Sequence, residues 1–180
     1  GKTAVELFEA AANGDIKAIW IAATNPAQSM PDQALIRKAL AQAEFVVVQE
    51  AYATTATAAF ADLLLPATSW GEKEGTVTNS ERRISRVQAA LPPANEARHD
   101  WQILTELGRR LEQRLGKGPQ TLFPYDSAES IWNEHRESTR GRDLDITGLS
   151  YDLLEAKGPQ QWPMPDGATQ GQARLYTDGR

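Results

Sequence analysis

Residues 16 to 66 read IKAIWIAATNPAQSMPDQALIRKALAQAEFVVVQEAYATTATAAFADLLLP. Ile16 to Ala22 is apolar apart from Lys17, as a buried strand requires. Thr24-Asn25-Pro26 stops it. Asp32 precedes Leu35, Ile36, Ala39 and Leu40, a spacing that predicts a capped helix to about Gln42. Phe45-Val46-Val47-Val48 predicts a second buried strand. Thr54 or Thr55 is expected to cap an Ala-rich helix to about Ala61. Asp62-Leu63-Leu64-Leu65-Pro66 predicts a third strand, ended by proline. Strand, helix, strand, helix, strand implies an α/β fold with a parallel sheet and right-handed crossovers. Ligands on such sheets bind beyond the carboxyl ends of the strands. That rule selects Thr24-Asn25-Pro26, Gln49-Glu50 and the chain from Pro66 onward.

Outward from this stretch, Val5, Leu7, Phe8 and Ala11 predict a short helix over Thr3 to Ala12, broken by Asn13-Gly14-Asp15. Downstream, Gly75 to Ser80 is Thr-rich and extended. With Ile84, Arg86 and Val87 behind it, a hairpin or an irregular excursion is expected. Ile103, Leu104, Leu107, Leu111 and Leu115 lie on one face of a predicted helix from Trp101 to Leu115. Ser127 is expected to cap another over Ala128 to Glu137. Past about Gly141 periodicity fades, and residues 141–180 read as a mostly irregular connector. The expected organisation is one domain over residues 1–140 followed by that connector.

The whole chain of 180 residues suits one domain with an appendage. Hydrophobic residues at 41% and charged residues at 24% allow a core and exclude bulk disorder. No apolar run approaches the roughly 20 residues of a membrane span. The N-terminus carries no basic-apolar-small signal sequence. A net charge of -5 argues against a general nucleic-acid binder. Cysteine is absent, which removes disulfides, thiolate nucleophiles, Cys-ligated zinc and iron–sulfur ligation from this chain. His99 and His135 are the only histidines, so a His-rich metal site is excluded. Both are expected at the surface, and no Ser-His-Asp order is defensible. Gly1 opens the chain without an initiator Met, and Arg180 follows a turn-like Thr177-Asp178-Gly179. Both ends read as cuts. The other reading is a tag remnant on a complete protein.

Each strand-end motif has a plain reading and a chemical one. Asn25 either starts a turn or offers a donor and an acceptor at a crevice rim. Gln49-Glu50 is either a solvated strand end or a site where a carboxylate takes ribose hydroxyls. No GxGxxG follows the first strand, which counts against an ordinary NAD enzyme. Glu72 to Arg83 is either a solvated loop or a site where Lys73 neutralises a phosphate and Gly75 lets backbone approach a ligand. In the plain reading Arg82 and Arg83 pair with nearby acids and hold the loop. Asp100 either caps the following helix or accepts the N1–H and N2–H₂ donors of a guanine.

Ala61 to Pro66, Trp70 to Arg83, Trp20 with Thr24-Asn25-Pro26, Ser29 to Asp32, and Pro93 with Glu96 to Trp101 occur in one order over residues 16 to 110. Together they resemble the molybdopterin oxidoreductases of the dimethyl sulfoxide reductase superfamily. Within it the likeness is to the catalytic subunits of bacterial assimilatory nitrate reductases. It rests on Gly71-Glu72-Lys73 joined to Thr76 to Arg86, on Arg142 to Leu149, and on Tyr151-Asp152-Leu153-Leu154 followed by Gln161-Trp162-Pro163. Formate dehydrogenases share Asn79 to Arg83 and a Gln-Trp-Pro.

The resemblance implies a Rossmann-like domain, cut from a large enzyme, that grips one of two molybdopterin guanine dinucleotides on molybdenum. It places Asn25, Gln49, Glu50, Lys73 and Asp100 where related periplasmic nitrate reductases contact the cofactor. This chain departs from them by one extra residue within Ala53 to Ala59, and by Gln49-Glu50 in place of a Ser-Asp pair. The implied parent also carries a [4Fe-4S] cluster, which this segment would not bind. No catalytic residue and no metal ligand are expected here. The implied reaction is two-electron reduction of nitrate to nitrite in the cytoplasm. The implied partners are the other domains of the same polypeptide and an electron-donor protein or reductase subunit. A formate dehydrogenase domain is the alternative within the family. A freestanding nucleotide-binding or interaction module is the alternative outside it. An isolated segment would expose apolar surface around Trp20, Trp70 and Trp162.

Overall fold

The computed structural model of the chain describes residues 1–116 and 118–174. The expected turn at Thr177-Asp178-Gly179 lies outside them. The fold is mixed α/β, with two three-stranded sheets among the described residues. The chain divides into two compact units, Gly1–Ser69 with Pro93–Leu104, and Trp70–Pro92 with Thr105–Arg180.

In the first unit, helix α1 (Ala4–Ala12) starts at a capping box. Thr3 accepts from the Glu6 N–H, and Glu6 reaches back to the Thr3 N–H at 2.8 Å, so two orphan donors are met at once. Strand β1 (Ala18–Ala22) buries Ile19 and Ile21 and leaves Ala18 and Ala22 exposed. A short turn of helix, α2 (Pro26–Ser29), follows with proline at its start. Helix α3 (Gln33–Gln42) is capped by Asp32, whose Oδ1 accepts from the Leu35 N–H at 3.1 Å.

Strand β2 (Phe45–Glu50) is central and buries Val46 through Gln49. Strand β3 (Leu63–Pro66) completes a parallel sheet in the order β1-β2-β3. Asp62 does not join β3; its Oδ2 accepts from the Val46 N–H at 2.7 Å. Phe8, Ala11, Ile19, Ile21, Ile36, Leu40, Val46 and Val48 form one core between the sheet and helices α1 and α3.

The Ala-rich helix expected before β3 is absent. A single 3-10 turn, Ala58–Phe60, stands there. The competitor is side-chain hydrogen bonding. Thr57 gives its N–H and its hydroxyl proton to Asn25, and its Oγ1 accepts from the Ala27 N–H. Those bonds tie Thr57, which would lie inside that helix, to the loop after β1.

In the second unit, strands β4 (Gly75–Thr78) and β5 (Arg83–Val87) form an antiparallel hairpin. Asn79 builds its turn: Oδ1 accepts from the Glu81 and Arg83 N–H groups, both at 3.0 Å. Arg83 partly fills the role expected of it, with its Nε 3.6 Å from Glu81 and its other donors on the carbonyls of Pro159 and Ala173. Helix α4 (Asp100–Arg114) begins in the first unit and ends in the second. Helix α5 (Ala128–Ser138) is capped by Ser127.

Residues 141–174 are mostly irregular, as expected, but they pack into a core and are more than a connector. They supply helix α6 (Tyr151–Lys157) and strand β6 (Gln160–Gln161), which pairs with β5. Ile146, Leu149, Tyr151, Leu154 and Met164 join Ile84 and Trp132 in the second core. Apolar residues scattered over this Gly- and Pro-rich stretch converge only in three dimensions, so no period announces them. The compact units therefore do not follow a boundary at residue 140. Of the tryptophans expected at the surface, Trp70 is exposed, whereas Trp20 and Trp162 are half-buried.

Candidate functional site

The carboxyl ends of β1, β2 and β3 lie side by side because the strands are parallel and in register. Ala22 is opposite Gln49, and Glu50 is opposite Pro66. The ladder continues past the named strands, from the Ala23 N–H to Gln49 O at 3.2 Å and from the Ala67 N–H to Glu50 O at 3.1 Å. A further segment joins this edge. Ala67 forms a parallel bridge with Arg98, and the Arg98 N–H reaches Pro66 O at 3.1 Å. That bridge carries His99 and Asp100, the start of α4, to the strand ends.

Gln49 is 1% exposed. Its Nε2 donates to Asp100 Oδ1 at 2.7 Å, across fifty-one residues of sequence. Its Oε1 is buried with no partner among the described residues. Asp100 is the first residue of α4 and is half-buried, where the helix dipole favours its negative charge. The helix start is held by Gln102, whose Oε1 accepts from the His99 N–H at 3.1 Å. Glu50 follows Gln49 at the strand end, half-buried, with Oε1 accepting from the next residue's N–H at 2.7 Å.

Asn25 ends the neighbouring strand connection. Its Oδ1 accepts twice from Thr57, and its Nδ2 donates to Gln28 Oε1 at 3.0 Å. Three of its hydrogen-bonding positions are thus spent inside the protein. Four of the expected site residues, Asn25, Gln49, Glu50 and Asp100, stand at one end of one sheet. Lys73 belongs to the second unit, half-buried between the turn Trp70–Glu72 and β4.

His99, expected at the surface, is half-buried. Its Nδ1 is 3.1 Å from the hydroxyl of Thr68, a residue 1% exposed. Its ring lies at 8° to that of Trp101, with centroids 6.4 Å apart. The bridge from Ala67 to Arg98 pulls His99 inward, and sequence spacing carries no trace of that bridge. Thr57 also escaped notice, since it sits in a stretch that reads as helix.

Chemically the edge is rich in acceptors. Two carboxylates, Glu50 and Asp100, suit hydroxyl and N–H donors such as a sugar or a base edge. They do not suit phosphate, which needs cations.

The family model for molybdopterin oxidoreductase matches residues 1–110. The chain is 42% identical over 182 residues to a nitrate reductase of Synechocystis sp., covering 99% of this chain and 25% of that protein. It is 42% identical over 178 residues to the assimilatory nitrate reductase catalytic subunit of Bacillus subtilis, covering 99% of this chain and 24% of that protein. It is 38% identical over 164 residues to the F420-dependent formate dehydrogenase subunit alpha of Methanocaldococcus jannaschii, covering 91% of this chain and 23% of that protein. The chain thus spans about a quarter of the length of these relatives. The fold is shared with acetylene hydratase from Pelobacter acetylenicus, at a TM-score of 0.69 and 24% identity over 90% of this chain and 21% of that one. On the match of its first 110 residues, the chain belongs to the molybdopterin oxidoreductase family.

Proposed function

We infer that this chain is a Rossmann-like, cofactor-gripping part of a molybdenum-dependent nitrate reductase, and that its strand-end edge receives the nucleotide end of a molybdopterin guanine dinucleotide. The observation that carries the reading is the pair Gln49 and Asp100: a buried amide holding a carboxylate at the strand ends, with one amide oxygen unsatisfied. A nucleotide that brings N–H and O–H donors fits that acceptor-rich edge. Asp100 would accept the paired N1–H and N2–H₂ of guanine, and Glu50 the ribose hydroxyls. Lys73, in the second unit, is carried by the resemblance alone as a phosphate contact. Asn25 would use its remaining amide N–H at the rim.

When bound, the cofactor supplies the metal at which a two-electron reduction takes place. The residues of this chain would bind and orient its nucleotide end. Nitrate as substrate is supported by the nitrate reductases among the relatives. Formate is the second reading, supported by the formate dehydrogenase relative. The [4Fe-4S] cluster, the electron donor and a cytoplasmic setting belong to the same proposal.

The test uses the full-length protein. Freed of its cofactor, it binds guanosine diphosphate in preference to adenosine diphosphate. Asp100→Ala removes that preference and leaves less molybdenum and pterin in protein purified from a competent host. Equal nucleotide binding and equal cofactor content in Asp100→Ala and wild type would overturn the assignment. Turnover with nitrate and with formate, each with a matched redox dye, separates the two substrate readings.

A further inference from the structure

The resemblance places Gln49 among the cofactor contacts, and its burial beside Asp100 suits it to a further task. At 1% exposure it offers no surface to a ligand. Its amide also has only one orientation consistent with its partner. A carboxylate oxygen is purely an acceptor, so the nitrogen must face Asp100 Oδ1, 2.7 Å away. The bond is charge-assisted and partly buried, a setting that strengthens a hydrogen bond and helps it hold geometry.

Asp100 receives that bond at the start of α4. It opens a helix, where its backbone is fixed but its terminal torsion is broad. Gln49 comes from the central strand of the first sheet, with Val46, Val47 and Val48 buried beside it. We propose that Gln49 is a positioning residue: it fixes the plane of the Asp100 carboxylate so that the two N–H donors of a guanine edge are met together. This inference rests on the function proposed above. A carboxylate turned out of that plane would still attract one donor but would align poorly with two. The property that Gln49 controls is therefore discrimination between guanine and a base lacking the exocyclic amine, rather than nucleotide affinity at large.

Full-length, cofactor-free protein is titrated with guanosine diphosphate and inosine diphosphate, which differ only in that amine. Wild type is expected to favour guanosine diphosphate about tenfold, the worth of one hydrogen bond to a charged group. Gln49→Met, close in shape but unable to donate, should reduce the preference to about twofold, with inosine diphosphate affinity nearly unchanged. Gln49→Leu, which likewise cannot donate, should reduce it similarly, and a matching thermal unfolding midpoint shows that each variant is folded. In a double-mutant cycle with Asp100→Ala, the Gln49 effect should vanish.

If Asp100→Ala leaves the preference intact, the site assignment fails. If Asp100→Ala removes it while the folded Gln49 variants keep it, the positioning role alone fails. Equal losses for both nucleotides in the Gln49 variants would mark a merely structural amide and would also overturn the role.

Discussion

Asn25 and Thr57, thirty-two residues apart, hold each other at the edge of the first sheet. Asn25 Oδ1 accepts from the Thr57 N–H at 3.1 Å and from the Thr57 hydroxyl at 2.7 Å. Thr57 has no exposed surface, and its Oγ1 in turn accepts from the Ala27 N–H at 3.0 Å. This chain of bonds ties the loop after β1 to the loop before β3. It anchors the Asn-Pro turn at the strand-end edge.

Replacing Asn25 by alanine should therefore cost stability before it costs binding. Two buried donors on Thr57 would lose their acceptor, a penalty of about 2 kcal/mol. Urea denaturation of Asn25→Ala should show a lower midpoint with an unchanged slope. Asn25→Asp, which keeps the acceptor, should recover most of the loss.

Asp145 is a point at which the second unit should respond to acid. Its carboxylate accepts from the Thr147 hydroxyl at 2.6 Å, from the Thr147 N–H at 2.9 Å and from the Gly141 N–H at 2.7 Å. Those bonds, led by the hydroxyl, hold its pKa below the ordinary carboxylate value. A depressed folded-state pKa contributes stability above the unfolded pKa, and that stability is lost as pH falls through the folded value. Asp145→Asn should be less stable than wild type at neutral pH, and the gap should narrow on acidification. Denaturation series from about pH 7 to pH 3 would show two curves converging. Parallel curves would refute the linkage.

Gly148 is a position where a methyl group has no room. A Cβ there would run into the backbone oxygens of Pro165 and Met164, while the Gly148 N–H is bonded to Met164 O at 2.9 Å. Backbone cannot swing aside as a side chain can. Gly148→Ala should destabilise by about 1–3 kcal/mol. Gly71→Ala meets nothing within 4 Å and serves as the control.

What the sequence revealed depended on how local each signal was. The cap of α3 at Asp32, the cap of α5 at Ser127 and the apolar strands at Ile19 and Val46 are settled within a few neighbours, and they stand where their patterns place them. The Ala-rich stretch before β3 failed because Thr57 answers to Asn25 and not to its own helix propensity. The packing of the stretch from Gly141 escaped for a related reason. Leu149 and Met164 reach the same core as Ile84, although no spacing links them.

The candidate site divides along the same line. That Gln49, Glu50 and Asp100 share an edge follows from parallel strands and one later helix. That Gln49 is sealed beneath Asp100 follows from burial alone. The position of His99 beside Thr68 required the bridge between Ala67 and Arg98, a contact between chain segments that carry no complementary motif.

The first unit is assembled from two separate stretches, with residues 70–92 running between them in sequence. A ribosome releases these stretches one after the other. When β1, β2 and β3 have emerged, Gln49 is already on the middle strand, and Asp100 is still being made. An amide enclosed at that stage would leave both of its polar atoms unsatisfied, at a cost of a few kcal/mol. Nascent chain halted before Asp100 thus has a physical reason to keep this sheet edge open, and synthesis of the α4 start supplies the latch that shuts it.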